Sequence, residues 1–515
     1  MTHIGTVSHG ISEWSLFWSR FHPDHPAILF GDRTISYRQL EDRAARLADG
    51  LRGAGIAKGD RVGFLALNAP EFVETLLACA RIGAIFVPFN IRLTASELSF
   101  IARDAGLRLL LTDTSFSGRL DAMAGQVDAE HTYFIDGPPE GGRSIDDLRG
   151  DPLRFPDDVG LDDILLLAYT SGTTGHCKAA VITHGNVAAT SIAVINADGL
   201  RSTDRVALPA PLAFAGSMLS VMLPFLHAGG SLLIERSFDA ERMLDHVEQR
   251  GVTVLKLVPA IYQMMAASPT FDRRDFSRVR ATSGGAPVPV DLLRTYHARG
   301  LLIGGAYGLT EGCGFNLHLP PREAAERIGW TGLPLLYQEC RVVDDAGTEV
   351  APHEVGELVI RGQCVMPGYW NDAESTARTI RDGWLHTGDL AIADELGYIK
   401  VVDRLKDMII SGGINVYPAE VERVLREHPD VTEAAVVGVP DPRWGETPVA
   451  CVVSGRADLT LDDLRPLLTE HLADYKRPRR LELIDELPRN ANGKILKRSL
   501  RESLTAESGH QTRRP

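Results

Sequence analysis

The most chemically suggestive stretch of this chain is Tyr169-Thr-Ser-Gly-Thr-Thr-Gly-His-Cys-Lys178. Its glycines, Gly172 and Gly175, let a backbone approach a phosphate closely, and successive N–H groups in such a loop form an anion nest. The hydroxyls of Thr170, Ser171, Thr173 and Thr174 add donors, and Lys178 adds a positive charge. The pattern G-x-x-x-x-G-K-[ST] cannot be fitted here, so the loop is not of the Walker type. Taken alone, a Ser/Thr/Gly stretch of this kind is more often a polar turn between two strands.

Six further motifs follow downstream. They are Ser283-Gly-Gly-Ala-Pro287, Tyr307-Gly-Leu-Thr-Glu311, Gly356-Glu-Leu-Val-Ile-Arg-Gly362, Trp384-Leu-His-Thr-Gly-Asp389, Asp403-Arg-Leu-Lys406 and Pro488-Arg-Asn-Ala-Asn-Gly-Lys494. Each has an ordinary alternative when taken singly. Tyr307 fits a half-buried packing tyrosine, Glu311 a solvated carboxylate, Asp389 a turn aspartate and Lys494 an exposed loop lysine.

The elements that must position these residues alternate between helical and strand patterns. Ser36 with Gln39 has the form of a capping box. Behind it Leu40, Ala44, Leu47, Ala48 and Leu51 recur at helical spacing, and Gly53 and Gly55 end the pattern. The short apolar runs Val62–Leu67 and Ile82–Val87 read as buried strands, with a helix from Pro70 to Ala80 between them. This is βαβ grammar. It continues through strands at Leu161–Ala168, Arg205–Leu208, Ser231–Ile234 and Val252–Leu257. The last hundred residues read as a smaller α+β unit. Its expected strands are Tyr398–Val402, Ala434–Val439 and Val449–Val453, with helices opening at Pro418 and Thr460.

The 515 residues exceed one ordinary core, which predicts two or more domains. Apolar residues make up 44% and charged residues 24%, a globular composition. A net charge of −14 argues against a general nucleic-acid binder, which needs a basic face. The cysteines at 79, 177, 313, 340, 364 and 451 include no C-x-x-C pair, so neither a zinc site nor a disulfide framework is expected. The N-terminus has no secretory pattern. The most apolar stretch, Ser217–Ile234, is broken by Pro224, His227, Gly229 and Gly230, so no transmembrane segment is expected. A cytoplasmic protein is the resulting expectation. Peripheral membrane contact and oligomeric state stay open.

In this order, the seven motifs resemble the adenylate-forming (AMP-binding) superfamily of acyl-CoA ligases, peptide-synthetase adenylation domains and luciferases. The resemblance runs from about Pro26 to Arg501. The run Arg404–Glu420 is most similar to fatty acyl-CoA ligases and the related aryl acid–CoA ligases. The fold implied is α/β: a large, multi-subdomain N-terminal AMP-binding domain over residues 1–403 and a small mobile α+β C-terminal domain over 404–515, with a hinge near Lys406. The implied activity is AMP-forming ligation of a carboxylic acid to coenzyme A, with ATP, Mg²⁺ and CoA as cofactors and co-substrates. The alternative is a stand-alone adenylating enzyme that loads a carrier protein.

Residue roles follow from the same resemblance. The 170–178 loop, with Thr170, Ser171, Gly172, Thr173, Thr174, Gly175 and Lys178, is expected to cradle the β- and γ-phosphates. Gly284, Gly285 and Ala286 are expected beside adenine with Tyr307 packed on the base, and Thr310 on the α-phosphate. Glu311 is the expected Mg²⁺ ligand, a hard ion suited to carboxylate and phosphate oxygens. Asp389, helped by Arg404, is assigned to the ribose, and Lys494 to the reacting carboxylate and α-phosphate. Gly413 belongs to the pantetheine path.

Three departures from the family pattern concern the site. Cys177 stands where proline commonly precedes the lysine, which removes a fixed backbone angle and is expected to loosen the loop. Phe214, in Pro211-Leu-Ala-Phe-Ala215, takes the place of a common histidine and makes an apolar wall beside the acyl group. Gly305-Ala306 replaces Gln-Gly, which enlarges the acyl pocket while Ala306 partly narrows it. With Met218, Gly312 and Gly314 these point to a roomy apolar pocket. The acids expected are medium- or long-chain fatty acids and aryl or alicyclic acids.

Overall fold

A computed structural model of the chain describes residues 10–120, 123, 125, 129–153, 157–170, 177–286, 288–411, 414–441, 444–490 and 493–511, the last six without side chains. Its contacts divide it into two compact units. One comprises residues 1–340 and 360–386, the other residues 341–359 and 387–515.

Two large sheets organise the first unit. In one, seven strands run in the order Arg143–Ser144, Thr132–Phe134, Leu107–Thr112, Arg61–Leu65, Ile85–Pro88, Ile164–Thr170, Lys178–Thr183 among the described residues. The pairings are parallel except for the last, an antiparallel hairpin. In the other sheet, nine strands run from Leu333–Pro334 through Gly314–Leu319, Ile303–Leu309, Arg280–Gly284, Val254–Leu257, Arg205–Leu208, Ser231–Ile234 and Pro26–Phe30 to Arg33–Ser36. Strands buried at every position, such as Ser231–Ile234, follow from helices covering both faces.

The helix Tyr37–Gly53 begins at the expected capping box. Ser36 accepts from the N–H of Gln39, and the Gln39 side chain accepts from the N–H of Ser36. Its apolar stripe, Leu40 to Leu51, is buried. The helix Pro70–Ile82 is buried at all its residues, and its charged positions are paired: Glu74 with Arg43 and Arg149, and Arg81 with Glu41. The boundary between this helix and the next strand differs from expectation. Ile82 ends this helix rather than opening a strand, because Gly83, at φ +69°, caps it in the left-handed region, and the strand starts at Ile85. The apolar stretch 217–234 divides into a π-helical turn Met218–Met222, a helix Leu223–Ala228 and the strand Ser231–Ile234. No helix among the described residues is long and apolar enough to cross a membrane.

The second unit packs a sheet of Ile414–Val416, Ile409–Ser411, Gly445–Ser454 and Val431–Asp441 in that order, with Arg480–Leu483 pairing parallel to Gly445–Ser454. The helix Pro418–Leu425 carries its proline at the first position, and Thr460 caps Leu461–His471 with a capping box. Val421, Val424, Leu425, Val436, Leu464 and Leu468 meet in one core.

Candidate active site

In the first unit the hairpin Ile164–Thr170/Lys178–Thr183 places Thr170 opposite Lys178. Thr170 Oγ1 donates to the Lys178 carbonyl at 3.4 Å. Residues 171–176 between them, Ser171, Gly172, Thr173, Thr174 and Gly175 included, lie outside the described residues, and Cys177 is half-buried ahead of the lysine. The segment 368–370 runs along the Lys178–Thr183 strand. Val181 N–H donates to the Gly368 carbonyl at 3.0 Å and Trp370 N–H to the Ala179 carbonyl at 2.9 Å. This pairing sets Tyr369 beneath the lysine. Lys178 Nζ lies 5.5 Å from the Tyr369 ring centroid, 2.5 Å from Ser375 Oγ and 3.7 Å from Asp372 Oδ2.

Tyr369 also reaches the other sheet. Its hydroxyl donates to Glu311 Oε1 at 2.8 Å, and Met366 N–H donates to the Glu311 carbonyl at 2.9 Å. One tyrosine therefore holds the lysine on its ring face and the carboxylate on its hydroxyl. Burial pushes the Tyr369 hydroxyl well above its ordinary pKa, and the Glu311 charge adds to this, so it stays a donor. Asp372 caps the helix Ala373–Thr379. The Ser375 hydroxyl and N–H hold its carboxyl below the usual carboxylate range, so it faces Lys178 as an anion. Tyr369, Asp372 and Ser375 escaped the sequence reading. The signal available for the last two was Asp372 followed three residues later by Ser375, a helix-start spacing.

Glu311 sits in a tight turn, Thr310–Gly312, at the end of the strand Ile303–Leu309. This strand pairs with Arg280–Gly284, placing Ser283 opposite Gly305 and Gly284 opposite Ala306. Small residues are required here. A Cβ on Gly284 would lie 2.8 Å from the Ala306 carbonyl oxygen, and one on Gly308 would lie 1.8 Å from that of Gly314. Gly285 and Ala286 are exposed beyond the strand end, and Tyr307 and Thr310 are half-buried. Phe214 is half-buried at the start of the turn Ala215–Ser217, with the Arg92 guanidinium 5.8 Å from its ring centroid.

The second unit gathers Asp389, Arg404, Lys406 and Lys494. The strand Trp384–Ala393 places Asp389 directly opposite Arg404 of the strand Ile399–Arg404, and Arg404 Nε lies 3.0 Å from Asp389 Oδ1. Lys406 follows in the exposed turn Leu405–Asp407. Lys494 is fixed by a reciprocal pair: its N–H donates to Asn490 Oδ1 at 2.9 Å and its carbonyl accepts from Asn490 N–H at 2.8 Å. The Lys494 ammonium is held down to about 8 in all, desolvation being the largest cause. Arg404 and Lys406 contribute to that lowering, while Asp389 and Asp407 oppose it. Gly413 lies outside the described residues.

Among the described residues no group of three or more His, Cys, Asp or Glu side chains could hold a metal ion. A single carboxylate such as Glu311 does suit Mg²⁺, which is commonly held by one or two carboxylates together with substrate phosphates and water.

A family model described as AMP-binding enzyme matches residues 17–370, and one described as AMP-binding enzyme C-terminal domain matches residues 420–494. The chain belongs to the AMP-binding enzyme family. It is 42% identical to a feruloyl-CoA synthase of Amycolatopsis over 496 residues, covering 96% of this chain and 99% of the relative. It is 38% identical to an indoleacetate–CoA ligase of Aromatoleum aromaticum, covering 97% and 99%. The o-succinylbenzoate CoA synthetase of Bacillus subtilis, solved with its acyl-adenylate intermediate, superposes with a TM-score of 0.85 at 30% identity, covering 95% of this chain and 97% of that one. The expected family, its acyl-CoA ligase branch and the α/β fold are thereby borne out. The chain is an enzyme, an acid–CoA ligase of the AMP-forming type.

Proposed function

We propose that this AMP-binding enzyme activates a hydrophobic carboxylic acid in two steps. The acid's carboxylate oxygen attacks the α-phosphorus of ATP, forming acyl-AMP as pyrophosphate leaves. The thiol of CoA then attacks the acyl carbonyl and AMP leaves. The observation that carries this reading is the Lys178–Tyr369–Glu311 arrangement, a cation and a carboxylate fixed on one tyrosine beside the phosphate-loop hairpin. Two anions must meet in the first step, so positioning and charge neutralisation supply most of the catalysis.

The residues divide that work. Lys178 and the 170–175 loop bind the terminal phosphates, and Thr310 bonds the α-phosphate. Tyr307 packs on adenine beside Gly284, Gly285 and Ala286. Asp389, oriented by Arg404, takes the ribose hydroxyls. Lys494 neutralises the charge shared by the carboxylate and α-phosphate. Glu311 is the residue that would hold Mg²⁺, which when bound supplies positive charge to the phosphate oxygens. Rotation of the C-terminal residues about Lys406 withdraws Lys494 after the first step and brings the loop around Gly413 to the pantetheine path. The similarity to a feruloyl-CoA synthase and an indoleacetate–CoA ligase supports aryl acids within the hydrophobic range.

Pyrophosphate release across a panel of fatty, aryl and alicyclic acids, followed by mass detection of acyl-CoA, tests the proposal. Acyl-AMP that accumulates in the presence of CoA would favour carrier-protein loading instead. Absence of pyrophosphate release with every acid would overturn it.

A further inference from the structure

The strand pair that carries Lys178 is gripped from both sides at one level. Tyr169 lies opposite Ala179 in the hairpin, adjoining the Thr170–Lys178 pair. On the entering strand the Tyr169 hydroxyl donates to Asp104 Oδ2 at 2.6 Å. On the leaving strand the Ala179 carbonyl accepts from Trp370 N–H at 2.9 Å, and the Trp370 indole N–H donates to the Asp104 carbonyl at 3.3 Å. Asp104 therefore holds both members of the pair next to the lysine, one directly and the other through Trp370. The chain neighbour of Trp370 is Tyr369, which carries Lys178 on its ring face and Glu311 on its hydroxyl.

Asp104 is placed against local preference. It sits in the last turn of the helix Ala95–Ala105, at the negative end of the helix dipole, where a carboxylate is disfavoured. Helix capping does not call for an acid there. Gly106, at φ +64°, ends the helix, while Arg61 Nε donates to the Ala105 carbonyl at 2.7 Å and Arg61 Nη2 to the Gly106 carbonyl at 2.5 Å. These contacts tie the helix end to the strand Arg61–Leu65, so Asp104 projects from a rigid support. Leu98, Ile101, Ala102 and Ala105 of the helix share one core with the Tyr169 and Trp370 rings. That core would bury either ring without the acid. What the carboxylate adds is a fixed direction for the Tyr169 hydroxyl, through a bond in the short range typical of a hydroxyl on an anion. Burial, and then the neighbouring carboxylate, keeps that hydroxyl protonated and hence a donor. Cys177 stands ahead of the lysine in place of a proline, so no fixed backbone angle leads into Lys178. The side-chain clamp supplies a constraint from outside the hairpin.

We propose that Asp104 is a positioning residue for ATP activation: through Tyr169 and Trp370 it holds the hairpin so that Lys178 meets the terminal phosphates. The inference rests on the phosphate-binding reading of Lys178 above. It adds a requirement that this reading does not contain, since Asp104 acts only through its two neighbours.

The test measures the two half-reactions separately in Asp104→Ala, Asp104→Asn, Tyr169→Phe and the double variant Asp104→Ala/Tyr169→Phe. Pyrophosphate release follows acyl-AMP formation, and thioester formation is followed from supplied acyl-adenylate and CoA. Asp104→Ala and Tyr169→Phe should each raise the KM for ATP by about 5- to 20-fold, the scale for a partly exposed hydrogen bond to a carboxylate. The KM for the acid should change by less than about twofold. The double variant should be no worse than the worse single one, because both remove the same bond. Asp104→Asn, whose amide oxygen still accepts, should recover most of the ATP affinity. Thioester formation should keep native kinetics, since pyrophosphate has left by that step. A merely structural role would lower both half-reactions together through the folded fraction, and such equal loss would overturn the inference. So would additive effects in the double variant. Lys178→Ala is the reference. If it leaves the KM for ATP unchanged, the phosphate-binding reading fails and the inference falls with it. A raised KM in Lys178→Ala beside native values in Asp104→Ala and Tyr169→Phe would sink the positioning role alone.

Discussion

Replacing Tyr369 with phenylalanine removes one hydroxyl and keeps the ring on which Lys178 rests. The lost group donates to Glu311 Oε1 at 2.8 Å. A hydrogen bond to an ionised acceptor contributes about 1.5–3 kcal/mol. Tyr369 and Glu311 both keep partial exposure, which places this one near the lower end, at about 1–2 kcal/mol or roughly 5- to 30-fold. Because Glu311 is the proposed Mg²⁺ residue, Tyr369→Phe should raise the Mg²⁺ concentration needed for half-maximal activity by that factor. The KM for ATP at saturating Mg²⁺ should change far less. Tyr369→Leu should weaken ATP binding as well, since the ring contact to Lys178 contributes about 0.5–2 kcal/mol. Pyrophosphate release titrated with Mg²⁺, and calorimetry of ATP binding with and without Mg²⁺, separate the two effects. Native Mg²⁺ dependence in Tyr369→Phe alongside impaired Glu311→Gln would refute the tethering role. Native behaviour in both variants would refute the metal assignment.

Lys494 carries its charge below about pH 8 and loses it above, so acyl-AMP formation should fall as pH rises through 8. Lys494→Arg, always charged, should remove that fall while lowering the maximum rate, and Lys494→Ala should cost about 10²–10³-fold in this step but spare thioester formation from supplied acyl-adenylate. Gly308→Ala should destabilise by about 3 kcal/mol or more, since its Cβ would meet the Gly314 oxygen at 1.8 Å; thermal denaturation against Gly53→Ala, which meets nothing within 4 Å, checks this. Lys406→Pro, which freezes one backbone angle at the proposed hinge, should keep acyl-AMP formation and lose much of the thioester step; equal loss in separately measured half-reactions would indicate misfolding instead.

The features legible in the sequence were local. The Ser36–Gln39 capping box, the Pro418 helix start and the βαβ alternation each depend on residues a few positions apart, and the structure forms them where the pattern places them. The Ile82 boundary was misread because an apolar run at a helix end resembles a strand start, and only the left-handed Gly83 separates them. Lys178 and Glu311 stood out as motif residues, yet the tyrosine joining them did not, because its role comes from a long-range strand pairing rather than spacing. Lys256 and Asp198, 58 residues apart, meet only through sheet register and the end of the covering helix His184–Asp198.

These placements share an electrostatic logic. The chain carries a net charge of −14, yet its proposed substrates are anions. Lys178 faces Asp372, Arg404 faces Asp389 and Lys256 faces Asp198. A cation held in this way keeps its geometry without attracting every polyanion in solution. A nucleotide must then offer more than charge to displace or share the resident carboxylate, because the Coulombic gain is only the difference between two pairings. On the proposed reading, selectivity then falls to groups that carry no net charge, the Tyr307 ring and the close-packed glycines of the two strand ends among them. The 3.7 Å separation of Lys178 and Asp372 is longer than a direct charge-assisted hydrogen bond, so this resident pairing is weak and a phosphate oxygen in line with Nζ would outcompete it.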